Sequence, residues 1–309
     1  MDERLIPING LIALLRGDGG WPGLLRDQGF QRHQLEAPIS SPLGDFRADA
    51  ILYRLDPDLI LLAECKSGRN IEEEQARKYV AVDAGWLGRA GLLPGPLRRR
   101  SDVEVRTLFV GREELRADLE AGLRALRIDA PLLTVGVDRV RLSGASAVSG
   151  LDDFDVHHSG GLPPARLPVD HQSPDEAIME VLLPQIAAAQ ARLEDIVLIE
   201  DLCARIVPEW AILSRGTQGD FIRRVAALLR ELQQGEFRGE IRYEPAPNAR
   251  GRLVILDSPA RRDPRGRTRA WQAHRDRSSA ALRRPPAQRQ IPGQLSLDEL
   301  ADSGGLAAE

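Results

Sequence analysis

Lysine is nearly missing from this chain: of its 42 basic side chains only Lys66 and Lys78 are lysine, and the rest are arginine. Codon bias accounts for the arginine background. Each surviving lysine then marks a place where a compact, rotatable ammonium does what a planar guanidinium does not. Cysteine is as scarce. Cys65 and Cys203 alone build neither a disulfide framework nor a four-cysteine zinc site, and each reads as a small buried hydrophobe. Aromatic residues make up 4% of the chain, which disfavours a reader of single strands. No apolar run approaches the roughly 20 residues of a membrane span. The opening MDERLIPING mixes acid and base ahead of a short apolar stretch, unlike a secretory leader. A cytoplasmic protein with no membrane partner is the expectation. A phosphate-cradling glycine loop and a Ser-His hydrolase elbow are both lacking, so neither ATP use nor that acyl chemistry is expected.

What is present is a 309-residue chain with 42% hydrophobic and 28% charged residues, the balance of a soluble globular protein with room for two domains. Residues 4–16 place apolar groups at helical spacing and stop at GDGG. A strand near Phe30 to Leu35 follows, then FRADAILYRL and LILLAECKS, two β-rich runs split by Asp56-Pro57-Asp58 as in a hairpin. IEEEQARKYVAVDA reads as a helix, VEVRTLFVG as a strand and REELRADLEAGLRAL as a helix. The order predicts an α/β fold over residues 1–143 with a mixed sheet flanked by helices. Residues 144–175, rich in Gly, Ser, Pro and Asp, read as a linker or long surface loop. Residues 176–257 give three helices, the first disturbed at Pro184 and the third opening on a Thr217/Asp220 capping box, then a hairpin. That pattern predicts a winged-helix-like module, with Arg223, Arg224 and Arg230 outside the apolar stripe of its third helix.

The chemistry concentrates between Asp49 and Tyr79. A turn midway between Asp56 and Pro57 sets Asp49 directly opposite Glu64, with Cβ atoms about 4.5–5.5 Å apart on one face. Lys66, two residues after Glu64, points to that face as well. Two neighbouring carboxylates raise each other's pKa and call for a cation. Oxygen ligands without a His or Cys pattern favour Mg²⁺ or Mn²⁺ over zinc. An E-x-K triplet also arises by chance on a solvated strand. Here it ends an apolar strand, has an acid at pairing distance, and holds one of the two lysines.

These residues resemble the PD-(D/E)xK phosphodiesterases of restriction-endonuclease-like fold. Asp49 matches the first acid, Glu64-Cys65-Lys66 the triplet, and Gln75 with Tyr79 a Q-x-x-x-Y helix motif similar to that of the RecB-type branch. The likeness covers residues 1 to about 140. Ala48 stands where proline often precedes the first acid, and only Glu3 near the first helix matches the extra acid that some members carry. The resemblance implies Asp49, Glu64 and the Cys65 carbonyl as metal ligands and Lys66 as the group that orients water or stabilises phosphorane charge. It implies Gln75 as a positioning residue for Lys66 or a phosphate, and Tyr79 as packing or an outer donor. The expected activity is Mg²⁺- or Mn²⁺-dependent hydrolysis of DNA, as endonuclease or exonuclease, with a homodimer if both strands are cut.

Residues 258–309 read as an arm and tail. Between 250 and 290 twelve arginines face Asp257, Asp263 and Asp276, a surplus of nine positive charges in a chain of net charge −4. Arg261, Arg262, Arg265 and Arg267 therefore join the third-helix arginines as candidate DNA contacts. Gln294-Leu295-Ser296-Leu297 is similar to a sliding-clamp-binding peptide but has Asp298 where an aromatic would follow. The rival expectation is a non-catalytic winged-helix DNA-binding regulator whose nuclease-like domain is a relic.

Overall fold

The structure is a computed structural model that describes residues 3–256 apart from Ser101, His171, Glu236 and residues 247–250. Arg261, Arg262, Arg265, Arg267 and the Gln294, Leu295, Leu297 peptide lie outside the described residues.

A short 3₁₀ turn, Glu3–Leu5, leads into α1 (Ile6–Arg16), in which every residue from Pro7 to Leu15 is buried. Such an all-round apolar helix belongs inside a core. Gly17, in the left-handed region at φ 66°, closes it by donating its N–H to the Ala13 carbonyl. Gly10 lets α1 press onto the sheet, since a Cβ there would lie 2.5 Å from a Val135 methyl. A single turn, α2 (Leu24–Asp27), precedes the first strand.

Seven strands form one sheet in chain order: β1 (Gln31–Ser41), β2 (Gly44–Leu55), β3 (Asp58–Lys66), β4 (Glu104–Arg112), β5 (Leu132–Val135), β6 (Arg139–Ser143) and β7 (Phe154–His157). β3–β4 and β4–β5 are parallel and the other pairs antiparallel, so the expected mixed α/β sheet is present. Parallel neighbours need crossovers. Between β3 and β4 the chain runs through α3 (Glu73–Val80) and α4 (Ala84–Arg89), and between β4 and β5 through α5 (Arg116–Leu126). Asp83 caps α4 by accepting from Trp86 N, splitting the single helix expected over residues 71–84.

The stretch 144–175 is not a linker. It supplies β7 and buries Leu151, Leu167 and Val169. The Asn9 side chain, fully buried in α1, donates to Leu167 O and accepts from Leu167 N. Composition reported the turns of this segment, whereas its anchor is a residue more than 150 positions upstream.

The remaining elements are α6 (Asp175–Ala191), β8 (Ile196–Leu198), α7 (Ile199–Ile206), α8 (Arg215–Gln234), β9 (Ile241–Glu244) and β10 (Arg252–Ile255). α6 runs through Pro184 without a break. α8 starts earlier than expected: Ser214 is its cap and accepts from Thr217 N, while the Ser214 N–H donates to Leu35 O of β1. The last three strands form a separate antiparallel sheet in the order β8, β10, β9. One buried apolar cluster extends from Leu5 to Ile255, so these elements share a core with α1 and the large sheet. Among the described residues no helix is long and apolar enough to cross a membrane.

Glu209 ties the later elements to the earlier ones. Its carboxylate is 4% exposed and takes Arg16 of α1 at 2.6 Å and Arg32 of β1 on its two oxygens. Replacing Glu209 by alanine leaves two partly buried guanidiniums without their acceptor, at a cost of about 3–5 kcal/mol. Urea unfolding measures this, and a loss under about 1 kcal/mol would show that water replaces the carboxylate.

Candidate active site

The β2–β3 register sets the site. Ala50 pairs with Ala63, Ile51 with Leu62, and so on down to Leu55 with Asp58. The pairing ends at Ala50 and Ala63, and Asp49 and Glu64 are the next residue beyond it on each strand. Lys66 closes the arrangement: its Nζ lies 2.6 Å from Glu64 Oε1. The strand carrying these groups is apolar from Leu59 to Ala63 and fully buried there, which delivers Glu64 at 3% exposure and Lys66 at 11%.

Asp49 Oδ2 accepts from the Cys65 N–H at 2.6 Å. Burial, and next the charges of Glu64 and Glu36, push its carboxyl well above the usual aspartate range, against the Cys65 N–H and Lys66. Glu64 Oε2 is buried with no hydrogen-bond partner among the described residues. A buried oxygen without a donor costs about 1–3 kcal/mol, more when charged. Burial raises the Cys65 thiol, and the Asp49 and Glu64 charges raise it further, so it is a neutral thiol and not a nucleophile.

Helix α3 lies beside these groups. Glu73 and Glu74 in its first turn suit the positive end of the helix dipole. Gln75 reaches back so that its Oε1 lies 3.4 Å from Lys66 Nζ. Tyr79, one helical turn on, does not line the cavity. Its hydroxyl donates to Arg47 O at 3.1 Å and Ala63 O at 3.4 Å, strapping α3 across β2 and β3. Its hydroxyl also interacts with the Glu64 side chain, which leaves Tyr79 in the packing or outer-donor position expected of it. Burial first, then Asp49 and Glu64, raise its phenol well above 10.

A cavity of about 450 Å³ opens over Asp49 and Cys65, walled by the start of α1, the β1–β2 hairpin, α3, Asp170 and Gln172. Its lining includes residues with no motif behind them. Glu36 on β1 is 8% exposed and holds a left-handed φ of 53°, an unusual conformation for a side chain of its kind. Burial, then Asp170, pushes Glu36 up to about 7, with Arg47 and Arg4 pulling the other way. Arg4 pairs with Asp170 at 2.9 Å and Arg47 lies 3.8 Å from Glu36. Lys78 reaches Glu74 at 2.7 Å, its stem passing over Gly44, whose φ is 115°. Lys78 lines the cavity, and Lys66 lies behind it, within reach of the lining residue Gln75. Glu36 and Asp170 carry no signal comparable to the rarity of lysine: one is a lone acid in a strand, and the other falls in the stretch read as a linker. Glu3 is not the extra acid; it is exposed and pairs with Arg112 at 2.7 Å.

Among the described residues no three His, Cys, Asp or Glu side chains form a ready-made metal cluster. What the site offers is a carboxylate pair with one orphaned oxygen beside the carbonyl end of β3. That donor set fits a hard divalent cation, which would satisfy Glu64 Oε2 and offset the crowded charge on Asp49.

The DNA-facing expectations for α8 change. Arg224 turns to Asp175 of α6, and Arg223 pairs with Asp220. Arg230 stacks on Tyr243, 4.8 Å from the ring centre. Arg215, Arg223 and Arg230 remain on the exposed side of the helix. No family model, curated protein or solved structure matches the chain.

Glu36 gives the site a stability signature. In the folded chain it keeps its proton up to about pH 7, against 4.5 as the ordinary value. Between those values the folded state binds more protons, so stability falls as pH rises. Glu36→Gln is expected to flatten this decline and to stabilise the protein at pH 8 by about 1–3 kcal/mol. Thermal melts from pH 4.5 to 8 test this, and parallel curves for the two proteins would contradict it.

Proposed function

We propose that the chain is a divalent-metal-dependent DNA phosphodiesterase, an endonuclease or exonuclease of PD-(D/E)xK type, with an attached DNA-binding module. The observation that carries this reading is the convergence of Asp49, Glu64 and Lys66 at the end of β3, with Glu64 Oε2 left unpartnered. Asp49, Glu64 and the Cys65 carbonyl would hold Mg²⁺ or Mn²⁺. When bound, such an ion supplies Lewis-acid polarisation and a water of lowered pKa.

The chain's own groups do the rest. Lys66 carries three N–H donors. One goes to Glu64 and a second is directed at Gln75, so a third is available for water or a non-bridging phosphate oxygen. Gln75 restrains the ammonium from the α3 side. Tyr79 fixes the spacing of β2 and β3, and with it the distance between the two acids. Arg4, Arg47 and Lys78 set positive charge among the acids of the lining, each paired with a carboxylate.

The order helix, strand, helix, helix, hairpin over 175–255, with β10 between β8 and β9, supports a winged-helix reading of the later elements. β1 holds the first turn of α8 through Leu35 O. Contacts to a duplex therefore fall to Arg215, Arg223 and Arg230 along the helix, which suits phosphate positioning better than base reading. Cleavage of both strands would take two copies, since one such site opens one strand.

The test is incubation of supercoiled plasmid and linear duplex with the protein in Mg²⁺ or Mn²⁺, with EDTA controls. Nicking or degradation that needs the metal is expected, and Lys66→Ala should slow it by about 10²–10³-fold. Cleavage that survives EDTA, or equals wild type in the variant, would remove the metal-dependent assignment to this site. Tight DNA binding without cleavage by either protein would favour the regulator.

A further inference from the structure

The cavity has an apolar part that hydrolysis does not use. Phe46 lines it from the β2 side, packed with the cluster around Tyr79, while Leu5 and Ile8 line it separately from the α1 side; Arg47 and Lys78 border the same mouth. The Phe46 ring is partly buried and rests on the Tyr79 ring, with centroids 4.5 Å apart. Since Tyr79 is itself clamped to two backbone carbonyls, Phe46 is held by a fixed support. A supported ring is a stacking surface that loses little freedom when a base arrives.

The lining sets Glu36, Asp45, Asp49, Glu72, Glu74 and Asp170 against Arg4, Arg47 and Lys78, so a phosphodiester would enter together with a divalent cation, and the Phe46 ring is left for something flat and apolar. At about 450 Å³ the cavity falls in the range of small-ligand pockets, roughly 300–1,000 Å³. The acid of the triplet is only 3% exposed and its lysine 11%. A phosphate locked in a stacked duplex keeps its bases turned into the helix, where they cannot enter a pocket. An unpaired nucleotide brings base and phosphate in together.

We propose that Phe46 forms a base-accepting subsite, so that the cavity takes one unpaired nucleotide of a DNA strand, its base on Phe46 and its phosphate beside Arg47 and Lys78. The proposal rests on the nucleic-acid reading of the same cavity and narrows it to strand ends, overhangs and single strands. It also revises the inference from aromatic scarcity: one well-placed ring suffices for one base.

Binding and cleavage test it separately. Binding of fluorescent short oligothymidylate and of a blunt hairpin duplex is measured in Ca²⁺, a hard cation that offsets the acidic lining. The single strand is expected to bind more tightly, and Phe46→Ala to weaken it about tenfold, the scale of a base–aromatic stack, with little change for the hairpin. Phe46→Leu keeps the packing on Tyr79 but removes the ring, so it should melt like wild type and bind the single strand as weakly as Phe46→Ala. Phe46→Trp should restore binding. With Mn²⁺ added, the single strand should be cut faster than the blunt duplex. If Phe46→Leu binds oligothymidylate like wild type, or the blunt hairpin is preferred, the subsite is overturned even where cleavage occurs. If neither substrate is cut while Phe46-dependent binding persists, the nuclease reading fails and the subsite stands.

Discussion

Crowding of negative charge at the end of one strand is the constraint on which the site depends. Asp49 and Glu64 are brought together by antiparallel pairing, and Glu36 adds a third acid from β1. Left alone, such a group would protonate or pull apart. Lys66 offsets one carboxylate at 2.6 Å, and the Cys65 N–H serves another. One oxygen of Glu64 stays unserved, and the raised proton affinity of Asp49 and Glu36 records the same imbalance. The arrangement holds together as a protein and remains incomplete as electrostatics, an imbalance that the proposed cation would offset.

The fold makes that imbalance tolerable. β3 is central, buried on both faces and parallel to β4, so its end cannot move away from the charge it carries. Tyr79 bonds across β2 and β3, and α1 packs beneath with its Gly10 against Val135. The later elements contribute too. The start of α8 is bonded to β1 at Leu35, next to Glu36, and Arg47 reaches from the cavity to Thr217 at 3.3 Å. A ligand that shifted Arg47 would be felt at the first turn of α8. The cavity and the later elements are therefore mechanically joined through one arginine and one strand.

Local pattern carried much of this in the sequence. The Asp56-Pro57 turn and two apolar runs fixed the β2–β3 register that ends beside Asp49 and Glu64, and lysine scarcity pointed at Lys66 and, through the same rarity, at Lys78. The strands β5, β6 and β7 were not legible, being four or five residues long with no sustained alternation. The same holds for 144–175, whose burial is set by Asn9 and not by its own composition. Glu36 lay beyond sequence reasoning because its role comes from a left-handed backbone position and the company of Asp170 and Arg47. For the α8 arginines, spacing identified the exposed side but not the partners: Asp175 takes Arg224, and only the packing of α6 on α8 reveals that.

The central claim is that Asp49, Glu64 and the Cys65 carbonyl form a seat for one divalent ion. Diffraction from crystals soaked in Mn²⁺, collected at the manganese absorption edge, addresses it directly. The account predicts an anomalous peak within bonding distance, about 2.0–2.3 Å, of Asp49, Glu64 Oε2 and the Cys65 carbonyl oxygen, absent from crystals of Asp49→Asn. A well-ordered crystal with no peak there, or with manganese seated only elsewhere, would contradict it.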